Sequence, residues 1–268
     1  MWKAGPLHMA RRLFAVVFSG LMLLPLMIVL FSSFTNEGYV KFPPSSFGLR
    51  WYKAALANAD FTSALIFSLE IATIVAILSG TIGVLSAIGL SQYKFPGRNA
   101  VIALLTMPLT LPHIVLAISL LQLFSALAIP SSPFGLLAGH LVITIPYVLR
   151  LTMASLTDQD PQIERASYTL GASRWQTLRL VTLPMILPAV LAGVVFAFLL
   201  SFDEVTVSIF TSLPGHTTLP AEIFQVASQG SDPVITAVSG LMIILASTLV
   251  IVVEYFFGVL RLIANEQK

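Results

Sequence analysis

The stretch IERASYTLGASRWQTLRLVTLPMILPAVLAG, residues Ile163–Gly193, decides how this chain is organised. It contains four charged residues, although only 10% of the whole chain is charged. Helix-forming residues, a glycine and two spaced prolines are grouped here, and strongly apolar sequence follows directly. The stretch therefore predicts an ordered polar segment that leads straight into an apolar helix.

Composition places most of the chain in lipid. The 268 residues are 57% hydrophobic, whereas soluble domains are about 45–50% apolar and about 25% charged. A soluble fold of this length would need far more polar surface. The chain has no cysteine, which excludes disulfides, thiol catalysis and cysteine metal sites.

Six apolar runs are long enough to cross a bilayer, since a membrane helix needs about 20 apolar residues. They lack the alternation of barrel strands, so we expect an all-α, polytopic membrane protein with six transmembrane helices. The first run is too long for the apolar core of a signal peptide and is expected to remain as a helix. The predicted spans are residues 12–33, 61–92, 101–129, 135–153, 185–211 and 236–259.

Basic residues orient the spans, because cytoplasmic loops carry an excess of Lys and Arg. With the N-terminus inside, 11 of the 14 basic residues lie on the inner side. Only Lys41, Arg50 and Lys53 lie outside. We therefore expect both termini in the cytoplasm. The inner basic residues are Lys3, Arg11, Arg12, Lys94, Arg98, Arg150, Arg165, Arg174, Arg179, Arg261 and Lys268.

The longest inner loop, residues 154–184, predicts two short helices that meet at a glycine. Asp160 can cap a helix that has Pro161 at its first position. Gly171 then lies where helices commonly end in a left-handed residue, and Ser173 can cap a second helix.

The second short helix is expected to end at Leu183-Pro184. Trp175 and Leu178 share one of its faces. Helices this short are unstable alone in water and must pack on something. Two interpretations remain open: they lie on lipid headgroups, or they insert into a cleft on a cytoplasmic partner.

This loop resembles the EAA loop of ABC-importer permeases, in which an E-A-A group is followed by G-A, L-P and a further P and G. Two positions depart from the pattern: the glutamate position falls on Arg165 and the second alanine position on Ser167. Glu164 lies one residue earlier. The matching residues are Ala166, Gly171, Ala172, Ser173, Leu183, Pro184, Pro188 and Gly193.

The resemblance covers nearly the whole chain. FGLRWYKAALAN in the first outer segment and SFDEVTVSIFTSLPGHTTLPAEIF near the fifth span are similar to spermidine/putrescine-type permeases. The resemblance implies the MetI-like ABC-importer permease fold. The implied organisation is an N-terminal tail, first helix and outer segment (1–60), a permease core (61–259) and a cytoplasmic tail (260–268).

In that family the loop is a coupling element that binds an ATPase subunit, and we refer to residues 154–184 as the coupling loop. A stiff two-helix element would transmit movement of the ATPases to the spans. The residues implied to couple are Glu164, Arg165, Ala166, Gly171, Ala172, Ser173, Trp175 and Leu178.

Catalysis within the chain itself is not expected. No G-x-x-x-x-G-K-[ST] phosphate loop, H-E-x-x-H or G-x-S-x-G is present, and the four histidines form no metal-ligand pair. No metal site is predicted. The chain would carry no cofactor of its own, and ATP with Mg²⁺ would bind to partner ATPase subunits.

Three carboxylates lie at membrane depth, where a charge costs about 2.5–3.5 kcal/mol. Glu70 lies about nine residues, or roughly 13 Å, into the second span. Asp203 and Glu204 lie at a similar depth in the fifth span. All three are candidates to line a path for a cationic solute. Hydrogen bonds to backbone or polar side chains between helices, or protonation to the neutral form, would also explain them. Adjacent helical residues diverge by about 100°, so Asp203 and Glu204 cannot both face one path.

Two intramembrane histidines are less informative. Pro108 and Pro112 are expected to kink the third span just before His113, either as a gate or as a packing bend. His140 is expected near the outer end of the fourth span, in an interfacial position.

The sequence predicts a permease subunit of an ATP-driven, binding-protein-dependent importer in the bacterial inner membrane. The expected partners are a second homologous permease, two ATPase subunits, an extracytoplasmic solute-binding protein and membrane lipid, without nucleic acid. The solute would be small and polar, with a polyamine or similar cation first. The alternatives are an ion-coupled secondary transporter or channel that uses the intramembrane carboxylates, and a membrane scaffold that transports nothing.

Overall fold

The computed structural model describes residues 6–127, 133–212, 215–230 and 232–257. This part of the chain is helical, and its only β contact is an isolated bridge between Thr35 and Phe47. The helices are α1 Pro6–Ser32, α2 Arg50–Ala57, α3 Ala59–Gln92, α4 Arg98–Thr106, α5 His113–Ala126, α6 Pro133–Asp158, α7 Pro161–Thr169, α8 Arg174–Thr177, α9 Leu183–Phe202, α10 Thr206–Thr211, α11 Leu219–Gln229 and α12 Pro233–Phe257.

The chain divides into two compact units. Met1–Thr62 and Ile223–Leu249 form one, and Ser63–Glu222 and Val250–Lys268 form the other. The coupling loop and the three candidate carboxylates all belong to the second unit. The predicted tail at 260–268 lies outside the described residues, and the three-part organisation stays a prediction.

The all-α membrane architecture is confirmed. Five helical segments are long and apolar enough to cross a membrane, and a sixth span results if one bent pair is counted. That pair corresponds to the predicted third span, and its bend lies at Pro112, just before His113, where a kink was expected. The bend between Arg98–Thr110 and His113–Ala126 is 112°. It arises because Leu111 and Pro112 adopt extended backbone. Proline disfavours helical geometry in the residue before it.

The predicted fifth span was wrong at both ends. Helical structure is continuous from Arg174 to Phe202, so the second short helix does not end at Leu183-Pro184. A π-helical turn, Leu178–Thr182, joins α8 to α9, and such a wider turn accommodates a proline that cannot donate a backbone hydrogen bond. At the other end, the chain breaks after Phe202 and resumes as the separate α10.

The core of the second unit is built from α3, α6 and α9. Ser79 of α3 hydrogen-bonds Thr144 of α6, with 2.6 Å between their hydroxyl oxygens. Gly193 allows α9 to approach α6 closely, because a Cβ there would lie 3.3 Å from the Val148 Cα atom. A Cβ on Gly83 of α3 would lie 2.8 Å from the Val148 Cβ atom. Small residues at such crossings are typical of helices packed within a membrane.

In the first unit, most side chains of α1 are exposed. The segment after α1 is ordered by local polar contacts. The Trp51 indole N–H donates to the Glu37 carbonyl oxygen over 2.8 Å, and the Ser33 and Tyr52 hydroxyl oxygens lie 2.7 Å apart. The segment is therefore folded rather than an open loop.

Candidate functional site

The coupling loop turns at Gly171, as predicted. The Asp160 side chain caps α7 by accepting from the Gln162 N–H over 2.9 Å. Gly171 has φ +87°, and its N–H donates to the Tyr168 carbonyl. The Ala172 N–H donates to the Ser167 carbonyl over 3.1 Å. These two bonds form the glycine-dependent helix end known as the Schellman motif.

Beyond the corner, Ser173 begins the next helix. Its hydroxyl accepts from the Gln176 N–H, and the Gln176 side chain accepts from the Ser173 N–H over 2.7 Å. This reciprocal capping box satisfies two backbone donors that a helix start would otherwise leave free. Because α8 continues into α9, the corner is attached rigidly to a membrane span.

Side-chain bonds fasten α7 to the base of that span. The Thr182 hydroxyl donates to a Glu164 carboxylate oxygen over 2.5 Å. The Ser167 and Thr177 hydroxyl oxygens lie 2.7 Å apart. Thr177 and Thr182 are buried. Glu164 and Ser167 are at or beside the two positions that depart from the family pattern, and both hold the loop together. Sequence reasoning missed this role, since the partners lie 10 and 18 residues away.

The tip of the loop presents apolar side chains to its surroundings. Leu170 is 88% exposed and Trp175 is 66% exposed, and Tyr168 is also exposed. Leu178, which was expected to share a face with Trp175, is half-buried. Among the other predicted coupling residues, Arg165, Ala166, Gly171 and Ser173 are exposed, and Glu164 and Ala172 are half-buried.

A cleft of about 1080 Å³ opens beside this tip. Residues 91–94, which end α3 and follow it, line one side. Gln159, Glu164, Arg165 and Tyr168 contribute to the remaining wall. The cleft and the apolar tip together form a surface with both a projection and a recess.

The adjacent acidic residues of the fifth span differ in environment. Both lie at the break between α9 and α10 rather than within a helix. The expected divergence of about 100° between adjacent helical residues therefore does not apply to them. Asp203 is the last residue attached to α9 and is exposed. Glu204 is only 5% exposed. Glu70 is exposed on α3.

Glu204 is paired with a histidine that the sequence did not link to it. One carboxylate oxygen lies 3.0 Å from the His113 Nδ1 atom. The other accepts from the Val207 N–H, also over 3.0 Å. The bend at Pro112 directs the start of α5 to this carboxylate. Pro112 was a visible signal for a bend, but the pairing of His113 with Glu204, 91 residues away, was not visible.

His140 is fully buried, which corrects the expected interfacial position. Its Nδ1 atom lies 2.8 Å from the Ser201 hydroxyl oxygen, and its Nε2 atom lies 3.1 Å from the Ser208 hydroxyl oxygen. The Ser208 hydroxyl donates to the Glu204 carbonyl over 2.7 Å. Its oxygen therefore accepts from Nε2–H, and Nδ1 accepts from Ser201. His140 thus bridges α9 and α10 across the break.

Comparison with known proteins places this geometry in a family. Residues 79–261 match the model of the binding-protein-dependent transport system inner membrane component. The chain is 34% identical over 241 residues to the spermidine/putrescine transport system permease protein PotC of Haemophilus influenzae, covering 90% of this chain and 93% of that protein. It is 32% identical over 226 residues to the putrescine transport system permease protein PotI of Escherichia coli, covering 82% and 80% respectively.

Solved structures agree on the fold. A bacterial ABC transporter involved in import of the acidic polysaccharide alginate matches with a TM-score of 0.72 at 16% identity, over 93% of each chain. An amino acid ABC transporter matches with a TM-score of 0.61 at 16% identity, covering 77% of this chain and 96% of the other. The fold is therefore that of MetI-like ABC-importer permeases, and the chain belongs to the family of binding-protein-dependent transport system inner membrane components.

Proposed function

We propose that this chain is the membrane-spanning subunit of an ATP-driven importer for a polyamine or similar small organic cation. The proposal that ATP drives the import rests on the coupling loop, which is a capped, glycine-cornered element with an apolar tip and is continuous with a membrane span. The polyamine part is supported by relatives named for spermidine and putrescine transport.

The loop would bind an ATPase subunit through its exposed tip. Leu170 and Trp175 are large apolar side chains held outside the chain's own core, and burial of each would contribute about 1.5–3 kcal/mol. When the ATPases close on ATP, the bound tip would move, and the continuous Arg174–Phe202 helix would carry that movement into the membrane. Alternating access then follows from two states that bind nucleotide differently.

The proposed assembly contains a second homologous permease, two ATPase subunits and an extracytoplasmic solute-binding protein. ATP and Mg²⁺ would be bound by the ATPase subunits, and this chain would not hydrolyse ATP. Both termini would lie in the cytoplasm, consistent with the distribution of basic residues. An ion-coupled secondary transporter is not favoured, because the chain belongs to a family of binding-protein-dependent systems.

Crosslinking tests the coupling contact. A photoreactive amino acid at Leu170 or Trp175, in the intact assembly, should crosslink to a nucleotide-binding subunit, and the yield should change with ATP. The same group at Tyr39, which is exposed in the outer segment, is the control. Crosslinks from the tip to lipid alone would contradict the proposal.

Transport tests the solute. Proteoliposomes that contain the whole assembly and ATP should accumulate spermidine when the binding protein is present outside. Amino acids, sugars and metal chelates serve as competing solutes. Accumulation without ATP would support the ion-coupled alternative, and absence of any uptake would support a scaffold.

A further inference from the structure

The break between α9 and α10, residues 203–205, is clamped from two neighbouring helices. His113 at the start of α5 contacts the Glu204 side chain. His140 of α6 bonds to serines on both sides of the break. The break is thus a defined structure rather than a frayed helix end, and its shape depends on residues far away in the sequence.

Both oxygens of the Glu204 carboxylate are bonded within the chain. One oxygen accepts from the Val207 backbone, and the other lies 3.0 Å from the His113 ring nitrogen. The residue is 5% exposed. A solute that bound this carboxylate would have to compete with the partly exposed His113 ring and with the buried Val207 N–H. A buried N–H that loses its acceptor is costly.

Asp203 differs from its neighbour in every one of these respects. It is exposed, and its carboxylate accepts no hydrogen bond within the described part of the chain. Its backbone N–H still donates to Leu199 as the last bond of α9. The next residue, Glu204, is buried and bonded on both carboxylate oxygens.

We propose that His113 and Glu204 are a positioning pair that holds the break and directs Asp203 to the solute path, and that Glu204 itself does not contact the solute. The inference rests on the proposed function, and it removes Glu204 from the three carboxylates that were candidates for solute contact. Asp203 meets the cation, while Glu204 determines where Asp203 points.

Uptake kinetics separate the two carboxylates. Asp203→Asn should raise the KM for spermidine about tenfold or more, because contacts with a charged group contribute most to binding. Glu204→Gln should leave KM within about twofold, because the amide can still accept from Val207 and contact His113. Glu37→Gln, the same chemical change in the outer segment, is the matched control. The amount of assembled complex, measured by size-exclusion chromatography, shows whether a variant folds.

A second measurement does not need the solute. The chain has no native cysteine, so Asp203→Cys introduces a single thiol whose reaction with a charged, membrane-impermeant reagent is followed on this chain by mass. Adding His113→Leu should slow this reaction about fivefold or more, as expected for loss of one partly buried hydrogen bond to a carboxylate. Adding Glu204→Gln should preserve the rate. His216→Leu, a histidine outside the break, is the control.

The outcomes are distinct. A KM increase in Glu204→Gln equal to that in Asp203→Asn would overturn the proposal, as would an unchanged thiol rate in the His113→Leu background. If the assembly took up no polyamine, the proposed solute would be wrong, but the thiol rates would still decide whether the pair positions residue 203.

Discussion

Replacing Gly171 with alanine should weaken the binding of ATPase subunits about five- to thirtyfold. Gly171 has φ +87°, and a left-handed backbone costs an L-residue about 1–2 kcal/mol. A Cβ at this position would meet no atom within 4 Å, so no steric clash adds to that cost. At 1.4 kcal/mol per tenfold, the strain corresponds to the predicted range.

The strain is comparable with the bonds that oppose it. The Ser167–Thr177 and Glu164–Thr182 hydrogen bonds hold the corner, and each contributes about 1 kcal/mol, with somewhat more for the bond to the carboxylate. Helix α7 has nine residues and is too short to be stable alone. The substituted corner should therefore open for an appreciable fraction of the time, and only the closed form would dock.

The assay is a titration of purified ATPase subunits onto the permease assembly in lipid nanodiscs, with Kd as the measurement. The loss of affinity should increase from Gly171→Asn through Gly171→Ala to Gly171→Val. Among these residues, asparagine tolerates a positive φ best and the β-branched valine tolerates it worst. Gly97→Ala is the matched control. Gly97 has φ +86°, also with no atom within 4 Å, and lies in a different turn.

Equal weakening by Gly97→Ala and Gly171→Ala would refute the reasoning, because it would trace the effect to general instability. An unchanged Kd across the whole Gly171 series would show that docking does not need the corner.

Three further predictions concern stability. Glu164→Ala and Thr182→Val should each lower the thermal midpoint of the assembly, and their double-mutant cycle should give a coupling of about 1–3 kcal/mol, whereas additive effects would contradict the contact. Gly193→Leu should destabilise the assembly by about 1–3 kcal/mol through overpacking between α6 and α9, as measured by the same midpoint. Hydrogen bonding from Ser45 lowers the pKa of Glu37 below its ordinary 4.5. Its contribution to stability should therefore be constant above about pH 4.5 and be lost as the pH falls through the lowered pKa, so hydrogen exchange in the outer segment should rise only in acid, and less in Glu37→Gln.

Much of the coupling loop was predictable because its bonds are local. Asp160 caps a helix two residues on, Ser173 and Gln176 are three apart, and the Gly171 turn joins residues within five positions. Such interactions depend on residue type and spacing, and both are visible in the sequence. The end of the second short helix was mispredicted at Pro184, because a π turn absorbed the proline.

The break in the fifth span was not predictable by the same means. Asp203 and Glu204 lie in an apolar run with no glycine or proline between Gly193 and Pro214, so helix periodicity continues through them. The bonds that stabilise the break come from His113 and His140. Without those partners, a helix would satisfy the same backbone groups.

The sequence by itself determined that most of the chain lies in lipid, how many apolar spans it has, how they are expected to be oriented, and that the coupling loop turns at Gly171. Hydrophobicity, charge distribution and helix capping all act along the chain. Tertiary structure alone decided which carboxylate is buried, where the fifth span breaks, and that His140 lies in the core. Those features depend on polar groups 61 to 91 residues apart, which satisfy one another away from water and meet only after the helices have packed.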